Sequence, residues 1–222
     1  WIDLSGSYMT GCALKSNGDL DCWGYNDQGQ ANQPSSTFAS VSTGYWHTCG
    51  ILASGSVQCW GANWKGQATP KGGTFTSVAS GGEHTCGINT SGSVECWGNR
   101  SQGQRYPPSG TFESIASGYF HSCGINSSGS IECWGSNSDG QTNPPNSTFV
   151  SLSVGLRHAC GINSSGAIEC WGWDRYGQAT PPTGTFSSVV SGAEHTCAID
   201  GNGAIQCWGD NGQGQSTPPS GP

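Results

Sequence analysis

At 222 residues, with 37 Gly, 12 Cys, 10 Trp and only 9% charged side chains, the chain has the length of one ordinary domain and the composition of an unusual one. Seven Lys plus Arg against 14 Asp plus Glu leave a net charge of -7, without the basic surface that a phosphate backbone demands, so nucleic acid is not an expected partner. No run approaches the roughly 18 uninterrupted apolar residues of a membrane-spanning helix, and helices in general lack their formers among so many Gly and Pro, so an all-β chain with no membrane insertion is expected.

A fixed period organises the whole chain. The first cysteine of each unit falls at Cys12, Cys49, Cys86, Cys123, Cys160 and Cys197, and the second at Cys22, Cys59, Cys96, Cys133, Cys170 and Cys207, always 37 residues apart. A Trp-Gly follows each second cysteine, and Gln30, Gln67, Gln104, Gln141, Gln178 and Gln215 keep the same phase. The units are 1–37, 38–74, 75–111, 112–148, 149–185 and 186–222, together one β-propeller domain.

Within the third unit, F-T-S-V-A-S-G from Phe75 has its bulky residues two or three apart among small ones, which suits a strand where neighbouring backbones approach closely. H-T-C-G-I-N and S-V-E-C-W-G follow, separated by Thr90, Ser91 and Gly92, a three-residue hairpin loop with Gly in the left-handed position. The closing G-Q-x-T-P-P can be only an edge strand or an extended connection, because paired prolines donate nothing to a ladder. Three or four short strands per unit result. Such a small sheet cannot bury both faces alone, and the sixth unit is as regular as the third, with no capping variant. A closed six-bladed β-propeller is therefore expected, its edges blunted by the Pro-Pro pairs at 107–108, 144–145, 181–182 and 218–219.

Pairing about the Thr90–Gly92 turn places Cys86 opposite Cys96, and facing positions of an antiparallel pair lie roughly 4.5 to 5.5 Å apart at Cα, within disulfide range. One bridge per blade follows, twelve cysteines in six pairs, and with it an oxidising compartment. A zinc site built on H-x-C and the second cysteine is the weaker reading, since it offers three ligands where four are wanted and the first unit has Thr10 in place of His47, His84, His121, His158 and His195. No metal and no cofactor is expected. A start at Trp1 rather than Met is what a processed secretory protein would show, and five N-x-S/T sequons, at Asn89, Asn99, Asn126, Asn146 and Asn163, are compatible with secretion.

The run G-Y-W-H-T-C-G-I-L-x-x-G-S-V-Q-C-W-G-x-N-x-x-G-Q, from Gly44 to Gln67, recurs in all six units and resembles the repeat of the regulator of chromosome condensation family. The resemblance implies β-propeller blades. The cysteine pair in every unit is similar to the extracellular branch of the family, such as the ectodomains of crinkly-type plant receptor kinases. Family members include a nucleotide exchange factor, a β-lactamase inhibitor and receptor ectodomains; the first sits poorly with a chain built for disulfides.

Comparison among the six copies separates framework from variation. The five His read as strand residues holding a loop, the Gln as turn-fixing hydrogen-bonders, and the C-W-G Trp with the opening Phe as inter-blade core, Trp1 taking the Phe position in the first unit. Variation gathers in two windows, the pair before each His and the four residues after each Trp-Gly. These windows hold Tyr8, Tyr25, Tyr45, Trp46, Trp64, Tyr119, Phe120, Arg157, Trp173 and Tyr176, the residue types that binding surfaces enrich, and these ten are the ligand-binding candidates. No nucleophile and base recur at fixed phase, so no catalytic residue and no enzyme are expected. The leading expectation is a secreted carbohydrate-binding, lectin-like propeller whose similar units each stack an aromatic ring on a sugar. The alternative is a propeller that binds an extracellular protein on one loop-lined face; equivalent sugar pockets would reuse the same residues in each blade, whereas a protein interface can differ everywhere.

Overall fold

The computed structural model describes residues 1–218, which form eighteen β-strands and, among the described residues, no helix. Pro219, second of the last Pro-Pro pair, and the end of the 186–222 unit lie outside the described residues. In the third repeat the strands run Phe75–Ser80, His84–Asn89 and Val94–Gly98, paired antiparallel in chain order as one three-stranded sheet. Six such sheets, one per repeat, are the blades of a six-bladed all-β propeller. The G-Q-x-T-P-P segment adds no fourth strand: it turns and runs on to the next blade, as residues without an N–H dictate.

Each hairpin closes as its turn chemistry requires. Asn89 N–H donates to Ser93 O at 2.9 Å, Asn89 Oδ1 accepts the Ser91 and Ser93 N–H groups, and Gly92 takes φ +84°, a conformation that a side chain would strain. That register sets Cys86 against Cys96 with Cα atoms 4.1 Å apart and the sulfurs bonded; the same pairing occurs in all six blades and no cysteine is free. In five blades the first strand carries a bulge directly after its Phe, as between Phe75 and Ser77. The extra residue shifts the alternation by one, so that Phe75 and Val78, three apart in sequence, face the same joint.

The core lies between blades. In the joint of the second and third, Ile51, Val57 and the Cys49–Cys59 bridge meet Phe75, Val78 and Trp97 of the next blade, and four more joints repeat the pattern. Burying one such Phe stabilises by roughly 1.5 to 3 kcal/mol. A relay of polar contacts fixes each joint. Trp97 Nε1 and Thr85 Oγ1 both donate to the Gln67 carbonyl of the preceding repeat, each at 2.9 Å, while the Gln67 side chain, wholly buried, accepts the Lys65 N–H. Because Thr85 spends its proton on Gln67, it receives one from His47 Nε2, 2.7 Å away, which assigns His47 the Nε2–H tautomer. The histidines therefore hold neighbouring blades together, not merely a loop within one. His121 lacks this partner, since Ala159 stands where the second, third, fourth and sixth blades have Thr or Ser. Blades approach closely at the end of the first strand: a Cβ on Gly81 would lie 2.5 Å from the His84 ring and 2.6 Å from Gly118 O.

The seam between the sixth and first blades differs from the five joints. Trp23, in phase with the buried Trp60 and Trp97, is 53% exposed, and Trp1, in phase with the buried Phe residues, is 70% exposed, so neither is core. On the sixth blade Val190, Ile199 and Ile205 are likewise exposed. The first blade also has Thr10-Gly11 where the others have His followed by a small residue, so it has no His to donate and no hydroxyl to receive His195.

Candidate functional site

Each strand order brings the two variable windows of a repeat to the same end of its blade. The second strand begins at the His and the third ends at the Trp-Gly, so the residues before one and after the other are neighbours. A backbone bond ties them in every repeat: Tyr25 N–H to Met9 O, Ala62 to Trp46, Asn99 to Glu83, Ser136 to Phe120, Trp173 to Arg157 and Asp210 to Glu194, all at 2.8 or 2.9 Å. Ten candidates scattered through the sequence thus share one face of the propeller. The opposite face carries the hairpin turns.

Seven of the ten form a continuous aromatic cluster. Tyr8 stacks on Tyr45 with centroids 5.7 Å apart, and Tyr45 meets Tyr119 edge-on at 4.8 Å across the channel, from the second blade to the fourth. Phe120 lies against Tyr119 at 4.4 Å. Trp46 donates its indole N–H to the Tyr119 hydroxyl at 3.3 Å and touches both Tyr25 and Trp64, each with centroids 6.2 Å away. Trp64 Nε1 in turn donates to Glu83 Oε1, whose other oxygen accepts from Asn99 Nδ2. The remaining three candidates make a second cluster on the fifth blade, where Arg157 lies 6.0 Å over Trp173, pairs with Asp139 at 3.7 Å, and Trp173 meets Tyr176 at 5.5 Å.

Exposure divides the rings into supports and contacts. Tyr8 and Trp64 are 59% and 49% exposed, while Tyr45, Trp46 and Tyr119 are half-buried and hold the cluster together. Burial, then the neighbouring Tyr119, Tyr8 and Glu194, pushes the Tyr45 phenol well above its ordinary range. Tyr25 donates its hydroxyl to Asp27 at 2.8 Å, which also raises its phenol.

Beneath the cluster opens a central cavity of about 620 Å³, lined by residues of all six blades, among them Tyr8, Tyr45, Trp46, Tyr119, Leu156, Glu194 and Asp210. Glu83 and Glu194 occupy the same position before the His in two of the six repeats, and Asp210 stands in the window after Trp-Gly with no carboxylate in phase in the other repeats; only the ring arrangement brings Glu194 and Asp210 to the mouth. His47, His84, His121 and His158 lie deep in the joints and wholly buried, away from this surface. Burial depresses them, His47 and His121 to about 3 and His84 and His158 to about 4. Among the described residues no three His, Cys, Asp or Glu side chains are grouped to hold a metal ion.

The family model for the regulator of chromosome condensation (RCC1) repeat matches six segments, residues 1–30, 38–67, 75–104, 112–141, 149–178 and 186–215. No curated protein matches the chain in sequence. Among solved structures, the chain is similar to the ectodomain of the receptor kinase CR4 of Physcomitrella patens, at 30% identity and a TM-score of 0.79 over 93% of this chain and 61% of that one. It thus spans less than two thirds of that ectodomain. The CRINKLY ectodomain of the Arabidopsis thaliana receptor kinase ACR4 is 28% identical, with a TM-score of 0.81 over 100% of this chain and 82% of that one. Yeast RCC1 (Prp20), solved bound to Kap60, has a TM-score of 0.81 over 95% of this chain and 70% of that one, but at 18% identity it supports the fold alone.

Proposed function

The chain belongs to the regulator of chromosome condensation repeat family, and from that membership and the geometry of its loop face we propose an extracellular, non-enzymatic protein-binding propeller. The observation that carries this reading is the aromatic cluster. Tyr8, Tyr45 and Tyr119 recur in phase, as equivalent sugar pockets would require, yet in the folded chain they pack on one another across three blades. Rings that pack into one cluster across three blades cannot each serve a separate, equivalent sugar pocket, which leaves one irregular aromatic surface with a polar rim in place of several equal sites. That is the anatomy of a protein interface, with aromatic anchors near the centre and charged groups around them. Two similar structures are receptor-kinase ectodomains, and six disulfides suit the same oxidising surroundings. Among the described residues no hydroxyl at the mouth is hydrogen-bonded to a His or carboxylate base, which supports a reading of binding.

The test compares the native, non-reduced protein with Trp64→Ala, Trp46→Ala and, on the opposite face, Asn202→Ala, in crosslinked capture from the fluid around its source cells and on a glycan array. A captured protein whose affinity falls about thirtyfold or more in both Trp variants and not in Asn202→Ala supports the proposal, since a truncated interface anchor costs about 2 kcal/mol or more. Saturable glycan binding lost in Trp46→Ala, with no protein captured, would instead establish the carbohydrate reading.

A further inference from the structure

The mouth of the central channel has a charge pattern that aromatic packing does not require. On the side of the first, second and fourth blades it presents Tyr8, Tyr45, Trp46 and Tyr119, and on the sixth it presents Glu194 and Asp210. None of the chain's seven Lys and Arg lines it. Asp210 is held by the Gly212 N–H and by Gln215 Nε2. Glu194, half-buried, has no hydrogen bond or ion pair for its carboxylate among the described residues, whose three ion pairs join Lys15 to Asp21, Lys71 to Glu95 and Arg157 to Asp139. His195, which also lines the cavity, is held below its ordinary range by burial and brings no positive charge at neutral pH. Two carboxylates and several π faces therefore share one concave, half-enclosed space without a counter-cation.

A carboxylate partly withdrawn from water and left unpaired loses hydration that an incoming cation restores. Aromatic faces carry the negative end of the ring quadrupole and attract a cation within about 6 Å of the centroid. A cavity of about 620 Å³ accommodates the stem and head of one long side chain with room for its backbone at the rim. Between the two protein cations, guanidinium suits the place better than ammonium: it is planar, weakly hydrated, stacks on rings and offers a fork to a carboxylate.

We propose that the channel mouth is a receptor for an arginine side chain of the partner protein, the guanidinium lying among the Tyr8, Tyr45 and Tyr119 rings and donating to Glu194. This rests on the protein-binding reading given above and names the chemistry that the partner must bring: an exposed Arg on a protruding segment.

The probe is Nα-acetyl-arginine amide, titrated against the native oxidised protein and followed by ligand-observed NMR, with the uncharged near-isostere Nα-acetyl-citrulline amide in parallel. Saturable binding of the arginine probe below about 10 mM is expected. The citrulline probe should bind at least about tenfold more weakly, the worth of one charge-assisted hydrogen bond. Glu194→Gln should weaken the arginine probe about tenfold and leave citrulline unchanged; its thermal midpoint should stay at the wild-type value, because the carboxylate it removes bonds to nothing. Equal binding of the two probes, unaltered binding to Glu194→Gln, or no saturation by arginine would each overturn the proposal. Trp64→Ala, whose ring does not line the cavity, would still weaken the partner complex in all three cases if the protein-binding reading holds, so the two fail separately.

Discussion

Acidification is the most informative perturbation of the fold, because four histidines sit in the blade joints with no exposed surface and no acceptor for a second proton. His47, His84 and His158 already give Nε2 to a hydroxyl of the next blade, and in each the Nδ1 is buried without a partner. Protonation would place an unpaired N–H and a charge in the joint, and burial accordingly lowers these groups from 6.5 to between about 3 and about 4. A lowered histidine pKa means that the unfolded chain binds the proton first. The stability these groups confer is therefore complete above their unfolded pKa near 6.5 and is lost as pH falls toward the folded values. At pH 5 almost all four are protonated in the unfolded chain and almost none in the folded one, so stability should fall with a slope of about 5 kcal/mol per pH unit, a large fraction of what a domain possesses. The assay is guanidinium unfolding of the oxidised protein, followed by Trp fluorescence, at intervals from pH 7.5 to 5. His84→Asn should reduce the slope near pH 5 by about 1.4 kcal/mol per pH unit, one proton's worth. A wild-type slope below that single-proton value would show that the histidines are hydrated and that the joints are not dry.

Two further outcomes follow from the joints and the bridges. Ala159→Ser supplies the hydroxyl that His121 lacks and should stabilise by about 1 kcal/mol in thermal unfolding, whereas destabilisation would mean that the joint has no room for it. Replacing Cys86 and Cys96 together by Ser opens a ten-residue crosslink and should cost about 3 kcal/mol of unfolding free energy in the chain-entropy picture, with a single cooperative transition retained; loss of cooperativity would show that blades fold independently.

Much of the fold was legible because one period repeats without slip. The cysteine pairing followed from the turn alone: once Thr90, Ser91 and Gly92 are the loop, Cys86 can face only Cys96, and no tertiary knowledge is needed. The bulge after each Phe was foreshadowed by the odd three-residue spacing from Phe75 to Val78. What the copies could not reveal was anything decided between blades. Trp23 and Trp60 are identical in phase, yet one is exposed and the other core, since the first blade packs over Trp60 while the sixth leaves Trp23 open at the seam. The link from His47 to Thr85 spans 38 residues and depends on how sheets stack. At the candidate site the windows were visible as variation, and all ten residues came to one face because strand direction is the same in every repeat. Their mutual contacts were not, for the meeting of Tyr45 with Tyr119 depends on the ring that brings the second blade opposite the fourth. The same ring brings Glu194 and Asp210 to the aromatic mouth, a juxtaposition without any counterpart in a single repeat.

The proposed recognition surface is the face built from the residues before each His and after each Trp-Gly. Hydrogen–deuterium exchange of the oxidised protein, free and in complex with its captured partner, maps that surface. Protection is expected at residues 45–46, 62–66 and 119–120, with the hairpin turns at 53–56, 90–93 and 127–130 unchanged. Protection confined to those turns, or spread over the exposed strands of the first and sixth blades, would contradict it.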